Sequence, residues 1–99
     1  MVAAGDYGKL RPAVVVQSDW LRTDSVLVAL ITSALVDAPL FRLTIEPNEA
    51  NGLKLPSQIM TDKIVALPRA KCDPIIGHID DGAKIALNHM LSVIFGLAD

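Results

Sequence analysis

Arg11 is the side chain of this sequence best placed to do chemistry. It closes a polar run, Gly5-Asp6-Tyr7-Gly8-Lys9-Leu10, and stands directly before Pro12-Ala13-Val14-Val15-Val16. The valines fit a pleated, buried surface, and proline is tolerated at the first residue of a strand. A permanently charged guanidinium is thus held at the junction of a loop and a core strand. Its planar fork can donate two parallel hydrogen bonds to the oxygens of one anion, which makes the junction a candidate anion clamp.

Other chemistries find less support. Cys72 is the only cysteine, which excludes an intrachain disulfide and a metal site built on paired cysteines; it reads as a small, near-core thiol. His78 and His89 have no carboxylate at a ligand spacing and follow no metal motif, so they read as surface or interface residues. Ser18, Ser33 and Ser57 sit in no nucleophile elbow. The glycines at 5 and 8 lack the spacing and the following helix of a nucleotide-binding loop.

The elements that must hold Arg11 are short strands. Arg11 to Gln17 reads as one, Ser18 to Asp24 as a polar turn, and Ser25 to Thr32 as a second apolar strand, so the pair predicts a hairpin. Leu40 to Glu46 alternates, with Phe41, Leu43 and Ile45 on one face. Asn51-Gly52 is the strongest turn signal of the loop that follows. Ser57 to Met60 and Lys63 to Leu67 are two short strands or one bent strand ending at Pro68. From Asp80 the period changes: Ala83, Ala86, Leu87, Met90, Ile94 and Leu97 form a helical stripe, capped by Asp80 or Asp81 and ending near Gly96. Strands followed by one helix predict a mainly β fold, a small barrel or curled sheet with a helix packed on it.

Composition sets the outer bounds. Ninety-nine residues suit one domain, residues 1–99. Hydrophobic residues make up 52% but aromatics only 4%, and mean hydropathy is +0.43, so the core is aliphatic and some apolar surface is expected to meet another chain. A net charge of -2 argues against a broad basic face for duplex DNA; any nucleic-acid contact must be local. The longest apolar run, Val26 to Ile31, is far short of the ~20 residues that span a bilayer. No signal peptide is evident, because Asp6 and Lys9 interrupt the start, and the cytoplasm is the expected compartment.

The run Gly-Asp-Tyr-Gly-Lys-x-Arg-Pro-Ala-Val-Val-Val-Gln-Ser-Asp at 5–19 resembles the loop and second strand of the MazF/PemK toxins of bacterial toxin–antitoxin modules. Leu30-Ile31-Thr32-Ser33, Ala38-Pro39-Leu40-Phe41-Arg42 and Pro56-Ser57-Gln58-Ile59-Met60-Thr61-Asp62-Lys63-Ile64 resemble later parts of the same fold. The resemblance implies an SH3-like small barrel and a metal-independent endoribonuclease without cofactor. It also implies single-stranded RNA as substrate, a homodimer, and neutralisation by a cognate antitoxin. Matching residues assign Arg11 and Thr32 to the active site, with Thr32 positioning the phosphate and stabilising its charge. Asp62 falls where some relatives carry a catalytic aspartate and is the first candidate for proton transfer; a pairing with Lys63 or Arg42 is the competing structural reading. A carboxylate is in general a weak base near neutral pH, and Asp6 is the fallback for this role. Tyr7 and Lys9 suit stacking and phosphate contact with single-stranded RNA; Gln17, Ser57 and Gln58 are candidates to read base edges.

The chain departs from the pattern at its start. Relatives begin with another strand before the glycine loop, whereas only Met1-Val2-Ala3-Ala4 stand there in this sequence. The expectation is a missing first strand and an open barrel edge. Two rival functions follow: a non-catalytic homologue that keeps the antitoxin groove, or a gyrase inhibitor like the CcdB toxins. The latter group typically carries a tryptophan near the chain end, and this chain ends Phe95-Gly96-Leu97-Ala98-Asp99.

Overall fold

Alternation of aliphatic side chains builds a sheet buried on both faces. The computed structural model describes residues 1–4, 11–72 and 75–97. Five strands, β1 (Val2–Ala4), β2 (Arg11–Val15), β3 (Ser25–Thr32), β4 (Arg42–Ile45) and β5 (Ser57–Pro68), pair antiparallel in the order β1-β2-β3-β5-β4. A 3-10 turn (Arg69–Lys71) and a helix, α1 (Asp81–Ile94), follow. Along β3, Val26 and Val28 face one cluster with Val2 and Ala13, while Ala29 and Ile31 face a second with Val14, Ile45, Ile59 and Leu87. The second cluster lies between the sheet and α1. Among the described residues no helix is long and apolar enough to cross a membrane.

The two candidate strands at 57–67 are one bent strand. Its pairing with β3 jumps from Ile31↔Ile59 to Ala29↔Ile64, so four residues of β5, Met60 to Lys63, stand against the single Leu30 of β3, and such an irregularity bends a strand. The first half of β5 therefore pairs with both β3 and β4, and the second half with β3 alone. Thr61, fully buried at the bend, sends both its N–H and its hydroxyl to the carbonyl of Phe41 at 3.0 and 2.7 Å.

The edge expected to be open is occupied. β1 pairs with β2 through Val2↔Ala13, Ala3↔Pro12 and Ala4↔Arg11, and Val2 also bridges to Ile75. Three small apolar residues are shorter than an ordinary strand of about five or six and show no alternation. Pairing with β2, reinforced by the bridge to Ile75, is what makes them a strand.

Helix α1 starts and stops where its caps dictate. The Asp80 carboxylate accepts the Ala83 N–H at 2.7 Å. At the other end Gly96 takes φ 72, and Gly96 and Leu97 donate to Val93 and Ser92, the hydrogen-bond pair that closes helices with a left-handed glycine. Leu87 is buried, with Ala83 and Leu91 packed beside it. Ile94 and Leu97, expected on the core stripe, are exposed instead. Asp80→Ala should cost about 1 kcal/mol, read as a melting temperature lower by roughly 4–8 °C.

Candidate active site

The start of β2 and the end of β3 meet at one rim of the sheet. Their register passes through Ala13↔Leu30, and continuing it by two residues sets Arg11 across from Thr32. Both line an open cavity of about 630 Å³, together with Pro12, Ser33, Lys54 and Ser57. Ala3 of β1 flanks it, and Gly52 to Leu55 with Ile76 form the far wall.

Each polar group in this cavity is conditioned by its neighbours. Thr32 is half-buried, and its Oγ1 accepts the Ala34 N–H at 3.1 Å. One lone pair is thereby used while the hydroxyl hydrogen remains available to donate. Ser57 is buried and its hydroxyl donates to the Leu55 carbonyl at 2.8 Å, leaving its oxygen as an acceptor. Arg11 and Lys54 are exposed, and neither has an ion-pair partner among the described residues. No carboxylate or imidazole is among the described residues of the lining, so a chain of net charge -2 presents a locally cationic pocket.

The remaining sequence candidates lie elsewhere. Gln58 is buried and its amide is engaged: Oε1 accepts the Val36 N–H at 3.1 Å, and Nε2 donates to the Val36 carbonyl at 2.9 Å and to Thr44 Oγ1 at 3.2 Å. Since Gln58 pairs with Thr32, this clamp fixes the segment that leaves Thr32. Gln17 lies beyond the opposite end of β2, donating to Thr23 Oγ1 at 2.9 Å and accepting the Leu27 N–H at 3.3 Å; it staples the β2–β3 hairpin. Asp62 is at the bend of β5, outside the cavity lining, with Oδ1 3.8 Å from Arg42 Nε. Asp6, Tyr7 and Lys9 fall outside the described residues. Cys72 matches a near-core thiol: it is half-buried, and burial raises its pKa against the opposing pull of Arg69.

Lys54 is the residue that sequence reasoning missed. Its signal was a cation just after the Asn51-Gly52 turn. Nothing along the chain indicates that this turn faces Arg11 and Thr32.

The pattern of the PemK-like, MazF-like toxins of type II toxin–antitoxin systems matches residues 2–95. The chain belongs to this family. A probable endoribonuclease MazF of Mycolicibacterium smegmatis is 37% identical over 98 residues, covering 97% of this MazF-like chain and 90% of the relative. Among solved structures, the Mycobacterium tuberculosis toxin MazF-mt6 superposes with a TM-score of 0.81 at 21% identity, over 96% of this chain and 95% of that one. An endoribonuclease in complex with its cognate antitoxin, from a mycobacterial species, gives 0.81 at 19% identity, over 97% and 91%. The MazF-like fold thus includes the five-stranded sheet and the C-terminal helix, with β1 in place.

Proposed function

We propose that this MazF-like toxin is an endoribonuclease that cleaves single-stranded RNA without a metal cofactor, with Arg11 and Thr32 acting on the scissile phosphate. The observation that supports this best is their convergence on a cavity whose described lining holds cations and hydroxyls but no carboxylate. The kinship with a probable endoribonuclease MazF adds to it.

The reaction needs the ribose 2′-oxygen to bond to the adjacent phosphorus as its proton leaves. The bond from phosphorus to the 5′-oxygen breaks as that oxygen gains a proton, giving a 2′,3′-cyclic phosphate and a 5′-hydroxyl. Arg11 neutralises the charge that builds on the non-bridging oxygens, and the Thr32 hydroxyl donates to one of them. For proton transfer the candidates are Asp62 and Asp6. Asp62 is turned towards Arg42, so we assign the step to Asp6, tethered to Arg11 by a short segment of chain. Tyr7 and Lys9 stack on and neutralise the bound strand, the Ser57 oxygen is free to accept from a base, and Gln58 acts through the loop it clamps.

Residues 1–99 act as one toxin domain in the cytoplasm, neutralised by a cognate antitoxin; the similar mycobacterial endoribonuclease in complex with its cognate antitoxin supports this partner. Exposed Ile85, Val93, Phe95 and Leu97 on and beside α1 give a homodimer its apolar surface.

Incubation of the purified protein with a single-stranded RNA in EDTA should yield fragments with the two ends named above. Thr32→Val should slow this cleavage about 10- to 100-fold, the loss of one hydrogen bond to a charged group. Intact RNA after incubation with wild-type protein would exclude the enzyme and favour a non-catalytic antitoxin-binding homologue.

A further inference from the structure

We propose that Lys54 is a second phosphate-binding residue of this site, seating the phosphate next to the one held by Arg11 and so positioning the strand for cleavage. This rests on the endoribonuclease reading and deepens it.

Charge distribution is the first support. Lysines and arginines number 9 against 11 aspartates and glutamates in the whole chain, yet Arg11 and Lys54 are the charged side chains among the described residues of the lining. They enter from different walls, one at the start of β2 and one from the loop before β5. A cavity of about 630 Å³ is larger than one guanidinium can serve, and a polynucleotide brings a charge with every residue.

The second support is the rigidity of the loop that presents Lys54. Asn51 is 1% exposed and organises the turn from inside. Its Oδ1 accepts the N–H groups of Asn48 and Leu53 at 3.1 and 2.9 Å, and its Nδ2 donates to the Glu46 carbonyl at 2.8 Å. Gly52 then turns with φ 69, and Ser57 grips the Leu55 carbonyl. Lys54 therefore stands between two anchored neighbours, Leu53 and Leu55. The backbone ordering that binding would otherwise require is already complete. No carboxylate among the described residues is ion-paired to the ammonium, so its charge is available to a ligand.

An ammonium on a flexible stem acts as a point charge rather than a directional fork. Its contact with a flanking phosphate is the same in the ground state and the transition state, so losing it should raise KM and spare kcat. Binding of a single-stranded RNA with 2′-O-methyl riboses, which lacks the nucleophile, should be measured against salt for wild type, Lys54→Met and Lys54→Arg. Each phosphate neutralised on a single strand contributes about 0.7 to the slope of log K against log salt. Lys54→Met should lose about that much, and its KM for cleavable RNA should rise about tenfold with kcat unchanged. Lys54→Arg should restore both, and Lys63→Met, an exposed lysine outside the cavity, should alter neither. A wild-type slope in Lys54→Met overturns the assignment even if the protein cleaves RNA. If wild type binds the blocked strand but leaves RNA intact, the enzyme reading fails while the slope still judges Lys54. Absence of binding by wild type would overturn both.

Discussion

Arg11→Ala should lower the rate of RNA cleavage by about 10²- to 10³-fold, the usual effect of removing one donor aimed at developing charge. In the cyclising step the phosphorus gains a fifth oxygen and its equatorial oxygens gain charge, so a guanidinium in the cavity helps the transition state more than the bound substrate. The loss should therefore fall on kcat rather than KM, opposite to that expected for Lys54. Folding should be nearly untouched, since Arg11 is exposed and without an ion-pair partner among the described residues; such surface changes usually lie within about 0.5 kcal/mol. Arg11→Lys should recover part of the rate by restoring charge without the two-pronged geometry. In the same assay Asp62→Asn should behave like wild type, because Asp62 faces Arg42 across 3.8 Å and lies outside the lining. Cleavage unchanged in Arg11→Ala, or abolished in Asp62→Asn, would move the chemistry from the cavity to the bend of β5.

Local signals account for most of the fold. Ser25 to Thr32 is read correctly at both ends because it is an unbroken apolar run rich in β-branched residues, with Val26 and Val28 in one cluster and Ala29 and Ile31 in the other, and α1 is bounded by an aspartate cap and a left-handed glycine that announce themselves in sequence. β1 is invisible by the same standard: Val2-Ala3-Ala4 carries no alternation of its own and owes its conformation to pairing with Ala13, Pro12 and Arg11 and to a bridge to Ile75, far along the chain. The candidate site divides similarly. Arg11 stands out as a cation at a loop–strand junction and Thr32 through family resemblance, and the β2–β3 hairpin that joins them was itself legible. Lys54 is an ordinary loop lysine until folding sets it against Arg11. Gln58 and Gln17, by contrast, looked free to meet a ligand because their backbone partners, Val36 and Leu27, lie 22 and 10 residues away.

Gly52→Ala should be the most damaging single methyl group in this fold. Gly52 has φ 69, a conformation that costs a side-chain-bearing residue about 1–2 kcal/mol, and a Cβ built there would fall onto the carbonyl oxygen of Ile76. Overpacking of that kind adds about 1–3 kcal/mol. A total loss of roughly 3 kcal/mol corresponds to a melting temperature lower by more than about 10 °C in a domain of this size. The cause is mutual, because a Cβ at Gly77 would in turn meet the backbone of Ala50 and Asn51, and His78 donates to the Ala50 carbonyl at 2.7 Å across the same seam. Gly77→Ala tests the steric share alone and should destabilise by less than Gly52→Ala. Gly82→Ala is the opposite case: its Cβ would meet only Asp80 Oδ1 at 3.5 Å, an ordinary contact, and alanine favours the helix over glycine, so the variant should be neutral or more stable. Because the seam at Gly52 also holds the wall that carries Lys54, Gly52→Ala should raise KM for RNA even below its melting temperature, whereas Gly82→Ala should not. Equal stabilities of the Gly52 and Gly82 variants would show that the 50–52 turn yields freely, and a yielding turn could not present Lys54 at a fixed place in the cavity.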